Sequence, residues 1–324
     1  MYRRCLHSLI KRSWPPVLRP PGRQLSSLSS DRGIPLHYDW VHPPETQELD
    51  HVVLFLHGLL GNGRNVRTMA KKLCDASQRP GVLLDVRGHG NSKVVQSATT
   101  SSTFASCVQD VHQTLEAMVP QVHPETEITL VGHSLGGRIS LQYAHNHVTT
   151  KSNNNNNSNN PLQRIWLLDT VPGEANDAVE RVVGAVTDIS SKAPITDKKQ
   201  LVQQLTTDYK IDKGTAQWLA SSLQKKTKTD ELQFSFDLTV VNDLLTNFHE
   251  QDFMQLLQEI LETNTVTVDL VRGGKNKGWT EANLAPLRQL QQEYPSNFGM
   301  HELPKAGHWV HVDDLPGLLD VMEV

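Results

Sequence analysis

Short apolar, β-branched runs alternate along the chain with longer stretches whose apolar residues recur every three or four positions. The runs predict strands over 35–40, 51–56, 82–86, 128–132, 165–168, 265–271 and 298–303. Val52-Val53-Leu54-Phe55-Leu56 is unbroken rather than alternating, as in a strand buried on both faces. Helical periodicity covers 66–77, 104–118, 135–147, 281–293 and 315–322. Strands separated by helices imply an α/β architecture, a mostly parallel central sheet with helices on both faces.

Two segments break this rhythm. Residues 172–263 lack a convincing buried strand but carry amphipathic patterns such as Leu244, Leu245, Phe248 and then Phe253, Leu256, Leu257, Ile260. They are expected to form a helical lid inserted between two parts of the core, 31–171 and 264–324. Residues 151–160, which include SNNNNNSNN, offer nothing to bury and are expected to be a disordered surface loop.

Charge changes the picture at the amino terminus. Residues 1–30 hold Arg3, Arg4, Lys11, Arg12, Arg19 and Arg23, several serines and no acid, the composition of an organelle transit peptide. The mitochondrial matrix is the expected destination, with plastid or cytoplasm as alternatives. Removing six cations from a chain of formal charge −4 leaves −10, the wrong sign for a nucleic-acid partner. No stretch reaches the roughly 20 apolar residues of a membrane span. Cys5, Cys74 and Cys107 form no CxxC pair, and the last two read as buried helical thiols of a reducing compartment.

A serine hydroxyl becomes a useful nucleophile when it is exposed, has a base beside it, and faces donors for the oxyanion. ITLVGHSLGG runs an apolar strand into Gly132-His133-Ser134-Leu135-Gly136 and then into a helix, a nucleophile elbow presenting Ser134. The oxyanion donors are expected to be the Leu135 amide and, from VVLFLHGLLGN, the Leu59 amide, with Leu60 as fallback. His57 reads as a brace for that loop. The base is expected after the last strand, in LPKAGHWVHVDD, where His308 is favoured over His301 and His311. The remaining histidines read as surface or loop positions. The segment after the 265–271 strand, VRGGKNKGW, has no carboxylate before Glu281, and Asp269 lies inside the strand. Asp169, ending RIWLLDTVPG next to the nucleophile strand, is therefore the expected acid, orienting the imidazole. A cap for the start of the lid is its alternative role.

HGLLGN, LLDVRGHGNS, VGHSLGG, LLDTVPG, VRGG and AGHWVH together resemble the α/β-hydrolase superfamily. Within it, they are similar to the group of the mitochondrial α/β-hydrolase domain-containing protein eleven and small bacterial esterases. The likeness covers most of 34–324, and the Asn-rich insertion departs from it. It implies an α/β-hydrolase fold and esterase activity, on lipid esters or thioesters among others, with an acid at Asp169; Asp85, Arg87 and His89 match a scaffold loop. The expected function is ester hydrolysis through an acyl-enzyme on Ser134, His308 and Asp169, with no metal or organic cofactor. The expected substrate is a small-molecule ester with an apolar acyl group. The same triad also serves carbon–carbon bond hydrolysis, and the resemblance allows a binding or protective role toward a mitochondrial enzyme complex. No motif in the chain identifies a protein partner.

Overall fold

The computed structural model describes residues 33–41, 49–92, 101–118, 122, 125–153, 161–173, 177–226 and 229–323. The leader expected over 1–30 and most of the Asn-rich loop, 154–160, lie outside the described residues. The chain first lays down β1 (Tyr38–Val41), β2 (His51–Leu56), α1 (Gly63–Ser77), β3 (Gly81–Leu84), α2 (Phe104–Ala117), β4 (Glu127–His133), α3 (Leu135–Asn153) and β5 (Leu162–Leu168). An insertion follows, made of α4 (Asp177–Lys192), α5 (Lys198–Thr207), α6 (Lys213–Ser221), β6 (Leu223–Lys225), β7 (Leu232–Phe234), α7 (Leu238–Phe248) and α8 (Phe253–Glu262). The core then resumes with β8 (Thr267–Gly273), α9 (Glu281–Glu293), β9 (Phe298–Leu303), α10 (Val310–Asp313) and α11 (Leu315–Val321).

Seven strands form one sheet in the order β1-β3-β2-β4-β5-β8-β9. Only β1 runs antiparallel to its neighbour, pairing Tyr38 with Leu84. The unbroken apolar run of β2 is explained by its two faces. Val52, Leu54 and Leu56 pack into a core shared with α2, α3, α8 and α9, while Val53 and Phe55 pack with α1, α10 and α11. Each such fully buried side chain contributes about 1.5–3 kcal/mol. The helical layers of the sheet thus follow from strands that are apolar on both sides.

The insertion divides by what it packs against. Val183, Val186, Leu201, Leu205, Ala216 and Leu219 of α4–α6 form a cluster of their own. Val240, Leu244, Phe253, Leu257 and Ile260 of α7 and α8 instead join the main core. The β6–β7 ladder, Leu223↔Phe234 to Lys225↔Leu232, is short and mostly exposed, so no apolar run announces it. Cys74 and Cys107 are buried on α1 and α2, and burial pushes both thiols up to about 12. No helix among the described residues is long and apolar enough to cross a membrane.

Candidate active site

β4 ends at the middle of the sheet and turns into α3 within one residue. Ser134 makes that turn with φ +52, in the left-handed region that strains a residue bearing a Cβ. The flanking glycines are required by contact. A Cβ on Gly132 would lie 2.4 Å from the Gly136 carbonyl oxygen, and one on Gly136 would lie 2.3 Å from that of Leu56. The Gly137 amide donates to the Ser134 carbonyl at 3.1 Å and closes the first turn of α3.

The next strand carries the acid. Asp169 follows β5 with φ +45, and its side chain is fully buried. Its Oδ2 accepts from Nδ1 of His308 at 2.7 Å, and its Oδ1 from the Gly273 amide at 2.8 Å and Trp279 Nε1 at 2.7 Å. The Asn276 side-chain amide also donates to Oδ2. Two of these four donors, Asn276 and Trp279, come from the segment after β8 that lacks a carboxylate of its own, and a third, the Gly273 amide, ends β8 itself. That segment holds the carboxylate of Asp169, which follows the neighbouring strand. Asn276 and Trp279 carry no motif that marks them for this role; the signal was their place in an acid-free loop at the sheet's carboxyl edge.

Ser134, Asp169, His308 and Leu59 line one cavity of about 470 Å³ between the sheet edge and the insertion. His308 is 41% exposed in its side chain, so its imidazole remains open to the cavity while its acid is sealed. The rival bases are placed elsewhere or lack an acid. His301 bonds Asp269 at 3.0 Å, a carboxylate that also meets Arg164, whereas His311 lines the cavity wall with a buried, unpartnered Nδ1. Burial and the nearby His308 lower His311 to about 4. Glu281 is exposed and pairs with Arg288.

The loop after β2 carries Leu59 and Leu60, the two oxyanion donors expected of it. The Leu60 amide donates to Nε2 of His89 at 3.1 Å, and Leu60 is held at φ +63. The fallback donor is thus already engaged, while no acceptor among the described residues takes the amides of Leu59 or Leu135. His57 accepts from the Val86 amide through Nε2 at 3.0 Å and donates from Nδ1 to the Gly58 carbonyl at 2.8 Å, tying this loop to the segment after β3. Asp85 accepts from the amides of Gly63 and Asn91, and Arg87 forms a buried pair with Asp110.

Reading the remaining histidines as surface or loop positions fails at His133, which is buried at the end of β4, whereas His57 and His89 are loop residues that are nonetheless buried. His133 donates from Nε2 to the His308 carbonyl at 2.9 Å, and its ring lies 4.7 Å from that of His308. Desolvation lowers His57 to about 4 and His89 to about 3, and pushes His133 well below its ordinary value. His133 is a neutral ring on the cavity wall, and His57 and His89 are neutral hydrogen-bonding rings behind it. Across the cavity, Trp218 of α6 and Trp309 bring their rings to 5.8 Å.

A doubly wound, mostly parallel sheet with a left-handed serine at a strand-to-helix turn defines the class: the chain belongs to the α/β-hydrolase family, whose fold model matches residues 51–315. It is a hydrolase. Its sequence is 24% identical over 304 residues to the sn-1-specific diacylglycerol lipase ABHD11 of Mus musculus, covering 94% of this chain and 88% of that protein. Two solved structures share the fold. E-2-(acetamidomethylene)succinate hydrolase superposes with a TM-score of 0.63 at 19% identity, over 84% of this chain and 90% of that one. The peroxisomal α/β-hydrolase Lpx1 of Saccharomyces cerevisiae gives 0.62 at 15%, over 94% and 85%.

Proposed function

We propose that the protein hydrolyses carboxylic esters, with Ser134 as nucleophile, His308 as general base and acid, and Asp169 as the group that orients His308. The observation that carries this reading is the 2.7 Å contact from His308 Nδ1 to the buried Asp169, in the cavity that Ser134 also lines. Asp169 accepts a hydrogen bond from Nδ1–H and so keeps the proton on Nδ1, which leaves Nε2 as the nitrogen with a lone pair. Nε2 accepts the hydroxyl proton as Ser134 Oγ attacks the ester carbonyl, and returns it to the departing alcohol. The amides of Leu59 and Leu135 stabilise the oxyanion. Water then attacks the acyl-enzyme by the same route in reverse.

The apolar wall, including Val66, Val171, Val182, Leu245 and Phe248, suits the acyl part of a lipid ester or thioester. The mouse relative's name, a diacylglycerol lipase, points the same way. Residues 1–30 would direct this activity to mitochondria.

The test is covalent labelling with a fluorophosphonate together with 4-nitrophenyl ester turnover. Wild-type protein is expected to label and turn over, and Ser134→Ala to do neither. Asp169→Asn is expected to reduce kcat by about 10³–10⁴, with Glu281→Gln near wild type. An unlabelled wild-type protein, or activity that survives Asp169→Asn and disappears in Glu281→Gln, would overturn the assignment.

A further inference from the structure

Arg138 lies one turn into α3, with its amide 3.3 Å from the Ser134 carbonyl oxygen, and its side chain lines the same cavity. Helical side chains lean toward the N-terminus of their helix, which carries this guanidinium toward the Ser134 end. The guanidinium stacks on Phe248, 3.7 Å from the ring centroid, and donates once, from Nη2 to the Val171 carbonyl at 2.8 Å. Its Nε is buried with no partner. No carboxylate among the described residues pairs with it. Asp169, the one carboxylate among the described residues of the cavity wall, is already occupied by four donors.

A guanidinium withdrawn from water without a counter-charge is strongly unfavourable, and stacking on an aromatic face offsets only part of that. Burial alone lowers its proton affinity to about 9, which still leaves it charged at neutral pH. The same sequence could have placed an acid on α7 or α8 to neutralise it, yet the facing side chains are Phe248 and Phe253. Among the described residues no side chain supplies the missing counter-charge, which leaves that place to a ligand. Among the described residues Arg138 is the only Lys or Arg on the cavity wall, and the buried histidines there, His133 and His311, are held neutral. One fixed positive charge matches a monoanion, and the planar fork of donors matches a carboxylate.

We propose that Arg138 is a specificity residue that binds a carboxylate of the substrate, so that the preferred ester is an anionic one, part apolar and part acid. This rests on the ester-hydrolase reading, deepens it, and separates from it experimentally. Mono-4-nitrophenyl succinate and glutarate carry the carboxylate on the acyl side, and 4-(butanoyloxy)benzoate carries it on the leaving group. 4-Nitrophenyl butanoate and phenyl butanoate are their neutral counterparts.

Wild-type protein is expected to favour at least one of the anionic esters over its neutral counterpart by about tenfold or more in kcat/KM. That ratio should collapse toward unity in Arg138→Met and survive in part in Arg138→Lys; a ratio is insensitive to a general loss of folded enzyme. Binding is read separately by calorimetry on Ser134→Ala, where monomethyl succinate should bind more tightly than methyl butanoate. The difference should vanish in Ser134→Ala/Arg138→Met. Turnover of neutral esters without preference for any anionic one, or a preference that persists in Arg138→Met, would overturn the carboxylate site. If no ester is turned over, the hydrolase reading fails, and the calorimetric difference alone decides on Arg138.

Discussion

Asp169 and Arg138 are two buried charges treated in opposite ways. The carboxylate is surrounded by four donors, including Trp279 Nε1 and the Gly273 amide on the same oxygen, whereas the guanidinium has one carbonyl and an aromatic face. A hydrogen bond to a charged group contributes about 1.5–3 kcal/mol. Trp279→Phe, which removes one donor and keeps the ring, is thus expected to lower kcat by about tenfold with little change in KM. Steady-state kinetics would check this, and unchanged kcat would mean that the indole only packs. At this scale the sequence was readable where the chemistry is local. Ser134 announces itself by the glycines on either side, and Asp169 by the missing acid after the 265–271 strand. Arg138 was not readable, because its meaning depends on which partners the fold leaves out. That the Leu60 amide is engaged was not readable either, because its acceptor, the imidazole of His89, lies 29 positions away in sequence.

Strands and helices were mostly legible from periodicity. β2, α9 and β9 fall on the predicted residues, and the other ends differ by a few positions, as frayed ends do. The division of the insertion was hidden: α8 has the same amphipathic pattern as the helices before it, and a pattern says that a face is buried without saying against what. The Asn-rich stretch joins the end of α3 to the start of β5, while Asp169 follows the other end of β5. Seven strand residues at about 3.3 Å each place roughly 23 Å between that connection and the acid. Replacing residues 154–160 with two glycines is accordingly expected to leave kcat/KM within about twofold, since a longer connection adds only modest closure entropy. A large loss of turnover in the shortened protein, with its melting temperature unchanged, would place that stretch in the functional surface.

The whole molecule shares one electrostatic liability. His57, His89 and His311 are buried as neutral rings, lowered to about 4, 3 and 4. An unfolded histidine takes up its proton near 6.5, so below that pH the unfolded chain binds protons that the folded one refuses. Stability from this source is complete above about 6.5 and declines as pH falls toward 4. The melting temperature is expected to be at least about 5 °C lower at pH 5 than at pH 7. A flat profile by differential scanning fluorimetry over that interval would show that these rings already open to solvent in the folded state.

The close approach of Trp218 and Trp309, tilted at 49° to each other, carries a last consequence, an optical one. One indole belongs to the inserted helices and the other follows His308 directly, at 5.8 Å from its counterpart. Chromophores at that spacing absorb as a coupled pair, so the molecule holds a built-in spectroscopic gauge of the gap between insertion and sheet. A ligand that wedges into the cavity should change the near-ultraviolet circular dichroism, and Trp218→Leu should abolish that response. Loss of the signal during turnover and its return at completion would time the opening and closing of the site without any added label.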